Sequence, residues 1–284
     1  MNDVRIGLYR ISDLSLFLRD IPKTFLASRR EYTLSMDIAD LMKTFSSSRR
    51  MEVLESLLKG ETRDEIKERV PTSTFAFTID YLKKEGLADV VAGDVVVTDR
   101  GRAYLLIFDQ FRKSILTLET LYATFIDHTI YFPDEFLPRL YEIADSEIVM
   151  SEPSNVLKPH RVFFENISRS REIMGVAPLL FPDYPEFFSA MTAKIDRISL
   201  VVTPEIHDII TGYPATKNES VEIRVIDESP KIAFTVTDCF LSIGFFYRSG
   251  NYDFTRDLVS TSPEAIRFGR DLFDYYVNRA RRME

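Results

Sequence analysis

The stretch SRRMEVLESLLKGETRDEIKERVPTSTFAFTIDYLKKEGLADVVAGDVVVTDRGR, Ser48–Arg102, decides how this chain reads. Its first part, SRRMEVLESLLKG, puts Met51, Leu54, Leu57 and Leu58 on one helical face and stops at Gly60. TRDEIKERV follows, with Thr62 and Glu65 at the S/T-x-x-E spacing that lets two side chains satisfy two orphan amides reciprocally. Pro71 lacks an N–H and disfavours helix at Val70, so the chain must break there. TSTFAFTIDYLKKEG then carries Phe75, Ile79 and Leu82 at i, i+4, i+7 and closes on Gly86. LADVVAGDVVV alternates around Gly93-Asp94, which predicts a two-stranded hairpin. Three helices and a hairpin in this order predict a winged helix-turn-helix, whose third helix suits a DNA major groove while the wing tracks the backbone. The same elements also suit a three-helix bundle that serves only protein contacts.

The 284 residues are 45% hydrophobic and 28% charged, an ordinary balance for a soluble globular protein, and the length suggests two domains. No apolar run approaches the ~20 residues that span a bilayer, so no membrane role is expected. The start, MNDVRIGLYR, lacks the charged beginning and apolar core of a signal peptide. Cys239 is the single cysteine; an intramolecular disulfide is excluded and a reducing, cytoplasmic setting fits. Residues 1–47 read as an N-terminal extension that packs on the module behind it or on a partner protomer. Ser46-Ser47-Ser48 marks its end, and residues 48–104 form the winged module.

Net charge is −8, which disfavours nucleic acid, but the charge is unevenly spread. Residues 1–104 carry 17 Lys and Arg against 17 Asp and Glu; residues 105–284 carry 19 against 27. The front module is therefore neutral, and Arg49, Arg50, Arg63, Lys83, Lys84, Arg100 and Arg102 must gather on one face to meet phosphate. A neutral module binds weakly alone, so two modules acting together are expected. Thr98 is a good N-cap for TDRGRAYLLIFDQFRKSILTLETLYATFIDH, one helix of about 30 residues and about 45 Å. Tyr104, Phe108, Phe111, Ile115, Leu118, Tyr122 and Phe125 make a heptad seam along it. Residues 105–128 thus read as a linker helix that either joins two protomers over a two-fold operator or packs along its own second domain.

Residues 129–284 alternate between helix and strand. PHRVFFENISRS and PDYPEFFSAMTAK read as helices, REIMGVAPLL and RISLVVT as strands, and PEIHDIIT as a helix. VEIRVID, IAFTVTD and FLSIGFFY read as three strands close together. Ser262 caps a last helix with Pro263 at its first position and Ile266, Leu272, Phe273 and Tyr276 on its buried face. The fold class expected is α+β: an N-terminal winged helix-turn-helix, a long linker helix and a C-terminal mixed α/β sensor-type domain.

In the third helix, Phe75, Ile79 and Leu82 are needed inside. Thr72, Ser73, Thr74, Phe77, Thr78 and Tyr81 remain for the outer face, where hydroxyls touch phosphates or bases and apolar groups touch a thymine methyl. Phe77 is equally suited to a core or an interface. Lys83 and Lys84 suit phosphate, and Gly93 allows the wing tip close to the backbone, with Asp94 an awkward neighbour. His128, His160 and His207 have no second His at ligand spacing and there is no Cys pair, so no metal is expected. H-x-K, G-x-S-x-G, Walker and G-x-G-x-x-G motifs are all missing, which points to no cofactor and no enzyme. Asp238, Asp253 and Asp257 suit a cation or polar ligand, or simply turns. His160-Arg161 and the loop Phe181–Pro185, with Asp183 and Tyr184, suit an effector pocket at strand ends, to which Asp238 is added; helix capping by Pro182 and Pro185 explains the loop equally well.

Two long stretches carry a resemblance. PHRVFFENISRSREIMGVAPLLFPDYPEFF (Pro159–Phe188) and IAFTVTDCFLSIGFFYRSGNYDFTRDLVSTSPEAIRFGRDLFDYYVNRA (Ile232–Ala280) are similar to the effector-type domain of archaeal transcription regulators described as methanogenesis-regulatory proteins. These are two-domain winged-helix proteins, arsenic-repressor-like at the front, and the resemblance runs from about Phe45 to Ala280. It implies a regulator that binds DNA through the front module and senses a signal through the back one, with no particular ligand implied. Residues and resemblance together predict a homodimeric regulator of double-stranded DNA, with a small-molecule effector as a candidate further partner. The alternative is a winged-helix adaptor that binds proteins and not DNA.

Overall fold

A computed structural model describes residues 38–180, 189–192 and 194–282, and the chain divides into two compact units between Leu105 and Leu106. In the first unit, helices α1 (Ile38–Ser46), α2 (Ser48–Leu58), α3 (Arg63–Arg69) and α4 (Thr72–Lys84) precede a hairpin of β1 (Ala88–Val91) and β2 (Asp94–Val97). α1 lies in the expected N-terminal extension and packs on α2. The cap on α3 forms as its spacing dictates: Thr62 Oγ1 accepts from the Glu65 amide, and the Glu65 carboxylate accepts from the Thr62 amide at 2.7 Å. Val53, Leu54, Ile66, Val70, Phe75, Leu82 and Leu87 make the core. Leu58 does not join it, being exposed in the last turn of α2 with exposed Lys59 and Gly60 behind it. The hairpin turns on Ala92-Gly93 rather than Gly93-Asp94, since Asp94 already pairs with Val91. Both turn residues have positive φ, 54° and 94°, which matches the twist of a two-residue hairpin loop.

Thr98 Oγ1 accepts from the Gly101 amide at 3.0 Å and so caps α5 (Asp99–Thr124), a helix of 26 residues, shorter than expected because the chain turns at Phe125. The second unit continues through β3 (His128–Thr129), a 3-10 stretch Asp134–Ile143, β4 (Glu147–Met150), α6 (Lys158–Ile167), β5 (Glu172–Ala177), β6 (Arg197–Val202) and α7 (Pro204–Ile210). It ends with β7 (Val221–Val225), β8 (Ile232–Thr237), β9 (Leu241–Tyr247), β10 (Arg256–Ser260), α8 (Pro263–Val277) and β11 (Arg281–Arg282). Most of PDYPEFFSAMTAK lies outside the described residues. The strands form one nine-stranded mixed sheet in the order β11-β7-β6-β5-β8-β9-β10-β4, with β3 on β9. The β5–β6 and β6–β7 pairs are parallel and the others antiparallel, so the chain is α+β with a mixed sheet.

The period of two sorts the strands onto two faces. Met174, Val176, Val201, Phe234, Val236, Ile243 and Leu258 face one way, into a core with Leu121 and Phe125 of the α5 end and Phe268 and Leu272 of α8. Ser262 caps α8 by accepting from the Ala265 amide at 3.2 Å. On the other face Ile173 and Ile198 meet Ile167 of α6 and Met191, and Val202 and Val225 meet Ile210 of α7. That second face carries β10's Asp257 and β9's Ser242 and Gly244, by the β8–β9 and β9–β10 registers.

Candidate functional site

Two places fit the expected chemistry, one in each unit. In the first unit α4 has a buried stripe of Phe75, Thr78, Ile79 and Leu82. Thr78 was expected outside and is 3% exposed, because i+3 from Phe75 falls beside the Ile79 position on the same face. The free face runs through Thr72, Ser73, Phe77 and Lys84, with Thr74 and Tyr81 half-buried at its edges. Phe77 is 67% exposed, so it joins no core among the described residues. Asp80 stands in the middle of the same face; it was not among the residues expected there, though its i+3 spacing from Phe77 places it. Pro71 precedes α4 and no side chain caps it, so the amides of its first turn point outward from a helix N-terminus.

The basic residues divide. Arg49 is held by Glu52 at 2.8 Å, and Arg50 stacks on the Tyr81 ring at 3.8 Å while donating to the Lys43 carbonyl at 3.3 Å. Arg63, Lys83, Lys84 and Arg102 are exposed. The hairpin brings no cation. Gly93 is exposed at its tip, but the strands show Asp89, Asp94, Val90, Val91 and Val96 to the outside.

Along α5 the expected seam splits. Phe125 is buried and Leu118 packs on the sheet core, whereas Phe111, Ile115 and Tyr122 are about half-exposed. The buried positions of the second unit's part of α5 are Ser114, Thr117 and Leu121, spaced i, i+3, i+7. Ile107, Phe111, Ile115 and Tyr122 are left exposed within one face about 80° wide, by the helical period, while exposed Leu106 and Leu116 lie on other sides of the helix.

The second unit holds a cavity of about 100 Å³ between the sheet and the α6–α7 side. Its walls are apolar, with Ile198, Leu200, Val202, Ile210 and Phe234 among them, and one end is polar, with Thr235, Ser242, Tyr252 and Asp257. Asp257 is 8% exposed and accepts from the Tyr252 hydroxyl at 3.2 Å. Burial pushes its carboxyl up to about 7, aided by the charge of Asp253 and opposed by hydrogen bonds from Tyr252 and Ser242. Gly244 makes this end possible: a Cβ there would stand 1.9 Å from the Tyr252 hydroxyl. Asp253, by contrast, is a turn residue. Burial works against its ionised form, but hydrogen bonds from Thr255 (amide at 2.8 Å, hydroxyl at 2.6 Å) and His128 (Nε2 at 2.9 Å), with the Arg256 charge, outweigh that and hold its carboxyl below the usual range.

Of the expected pocket residues, His160 lines this cavity. Arg161 does not, being turned 100° from His160 and set 3.7 Å from Glu165 on the exposed side of α6. Asp238 does not either. It lies in the β8–β9 turn, where its carboxylate accepts from the Arg171 amide at 2.9 Å and ties down the start of β5. Asp183 and Tyr184 lie outside the described residues. Tyr252, Ser242 and Gly244 were not expected at the site; Asp257 was expected to suit a cation or polar ligand or simply a turn, and it lines the cavity from a strand. The signal was the alternation RDLVS, which is the strand β10. Among the described residues no group of three or more His, Cys, Asp and Glu is placed to hold a metal, and no helix is long and apolar enough to cross a membrane.

The cavity and its covering elements fall inside a recognised domain. Residues 156–279 match the family model described as methanogenesis regulatory protein FilR1, middle domain. A curated relative, methanogenesis regulatory protein FilR1 of Methanothrix harundinacea (strain 6Ac), is 28% identical over 199 residues, taking in 66% of this chain and 45% of its own length. The chain thus spans about half the length of the curated relative it matches, and the resemblance to methanogenesis-regulatory proteins holds. A solved structure of TrmBL2, an archaeal chromatin protein with a novel mode of DNA binding, aligns over 86% of this chain and 97% of its own at 11% identity, with a TM-score of 0.40.

Proposed function

We propose that this chain is a DNA-binding transcription regulator whose first unit is a winged helix-turn-helix and whose second unit senses a small molecule. The observation that carries the reading is α4, buried along one side and open along the other, with Ser73 and Phe77 outward and an uncapped N-terminus. A helix so held presents hydroxyls, an apolar ring and free amides to a groove and its phosphates. The relative's description as a regulatory protein supports it. The stripe from Ile107 to Tyr122 on α5 supports pairing of two protomers, since an exposed apolar face of this length marks a contact surface. No catalytic step is assigned to the chain.

Ser73 and Thr74 changed together to Glu put two carboxylates at the α4 N-terminus without touching the core. Gel-shift binding to host promoter DNA is expected to vanish in this variant while the circular dichroism melt is kept. Unchanged binding removes α4 as the reading helix. A second reading, an adaptor that docks proteins through the first unit, is favoured by the valines and aspartates of the hairpin. DNA binding that weakens steeply with salt supports the first reading, and absence of binding at low salt supports the second.

A further inference from the structure

We propose that the cavity between the sheet and the α6–α7 side of the second unit is a binding site for a small hydrophobic amine, seated with its ammonium group against Asp257. The inference rests on reading that unit as a sensor and names what it senses by chemistry. Thr235, Ser242, Tyr252 and Asp257 gather at one end of the cavity, and most of the remaining wall is aliphatic and aromatic, with His160, Thr192 and Thr216 as its other polar side chains. Such a container fixes a ligand by one polar head and takes an apolar body. Asp257 is the ionisable group at that end, buried, with the Tyr252 hydroxyl as donor.

The sign of the missing partner decides the class. No Lys or Arg is among the described residues lining the cavity. His160 is the one basic side chain in that lining and is not among the residues of the polar end, so a carboxylate or phosphate ligand seated there would meet the Asp257 carboxyl with no cation beside it. An ammonium supplies the countercharge that Asp257 lacks there, and the rings of Tyr252 and Phe254 in the same lining offer negative π faces to a cation. The volume, about 100 Å³, is of the order of the ~150 Å³ cavity that admits benzene, so the ligand is of similarly few heavy atoms.

The test uses the full chain without DNA and three probes of one length: n-butylamine, n-butanol and butyrate. Binding is followed by the methyl NMR signals of Ile198, Leu200, Val202 and Ile210, which report from the cavity wall. Butylamine is expected to shift them and to bind about tenfold tighter than butanol, as a desolvated charge pair allows, with butyrate weakest. In Asp257→Asn the amine is expected to lose that lead and bind like the alcohol. Butanol or butyrate binding as tightly as the amine, no binding by any of the three, or an amine lead that survives Asp257→Asn each overturns the proposal. If the variant does not fold, the ranking of the three probes on the wild type still decides. A failure here leaves DNA binding untouched, because the gel shift of the Ser73/Thr74 variant is read without any ligand.

Discussion

Asp257 concentrates the most chemistry of any residue in the second unit. Its carboxyl is pushed up to about 7 by burial, so the folded chain holds a proton there that the unfolded chain releases near the ordinary carboxylate range. The sign follows: the group favours folding at acid pH, and that contribution is lost as pH rises from about 4 to about 7, at roughly 1.4 kcal/mol for each pH unit crossed. Asp257→Asn removes the titration and keeps the shape. Thermal unfolding at pH 5 and pH 8 is expected to show the wild-type Tm falling relative to that of the variant as pH rises. A wild-type minus variant difference that stays constant over this window contradicts the burial of an ionisable Asp257. Gly244 is tied to the same spot, since the Tyr252 hydroxyl lies where its Cβ would stand. Gly244→Ala is expected to destabilise the second unit by a few kcal/mol, as overpacking of a filled site does, and to move Tyr252 off Asp257; an unchanged melt would show that the tyrosine yields freely.

At the scale of elements, α4 shows what helical spacing can and cannot tell. Phe75, Ile79 and Leu82 identify the buried stripe from sequence, and the Thr62–Glu65 box and Ser262 cap mark helix starts where they occur. Thr78 escaped because a threonine is read as polar and therefore outward, yet the stripe is wide enough to take it in. Asp80 escaped because hydroxyls and cations, not carboxylates, are the groups that suit a phosphate. It stands where a phosphate or base would lie, so Asp80→Asn is expected to tighten DNA binding about fivefold, equivalent to about 1 kcal/mol for a charge at close range in water. Equal affinity in fluorescence anisotropy would place DNA elsewhere. On β10 the sequence left Asp257 open between a polar-ligand group and a turn residue: it follows a turn of Asn251, Asp253 and Thr255, and local composition carries no mark of the strand pairing with β9 that turns its side chain inward. The cavity, likewise, arises from residues on β6, β7, β9 and β10 that only the sheet order brings together, whereas the helix–strand alternation that predicted a mixed sheet is local.

For the whole molecule the balance of charge sets how the proposed DNA binding must behave. The −8 net charge belongs to residues 105–284, while residues 1–104 are neutral. Within the first unit Arg49 and Arg69 are paired with glutamates, Arg50 stacks on Tyr81 and Arg100 lies over the Tyr104 ring at 5.6 Å, which leaves Arg63, Lys83, Lys84 and Arg102 as the exposed cations named for phosphate. Each phosphate neutralised contributes about −0.9 to the slope of log K against log salt. Four such contacts from one protomer give a slope of about −4, and eight from a pair give about −7. A regulator that pairs through the α5 stripe is therefore expected to show a slope steeper than about −4 and no steeper than about −7, with a dimer in sedimentation at the same concentration. Ile107→Glu and Ile115→Glu together place charge in the middle of the stripe, and are expected to return the slope to about −4 and the protein to monomer. A slope near −4 with a monomer in the wild type would show that one unit binds alone. A slope well beyond −7 would mean that cations outside this set carry the contact, and the assignment of the DNA-facing surface to α4 and its neighbours would fall.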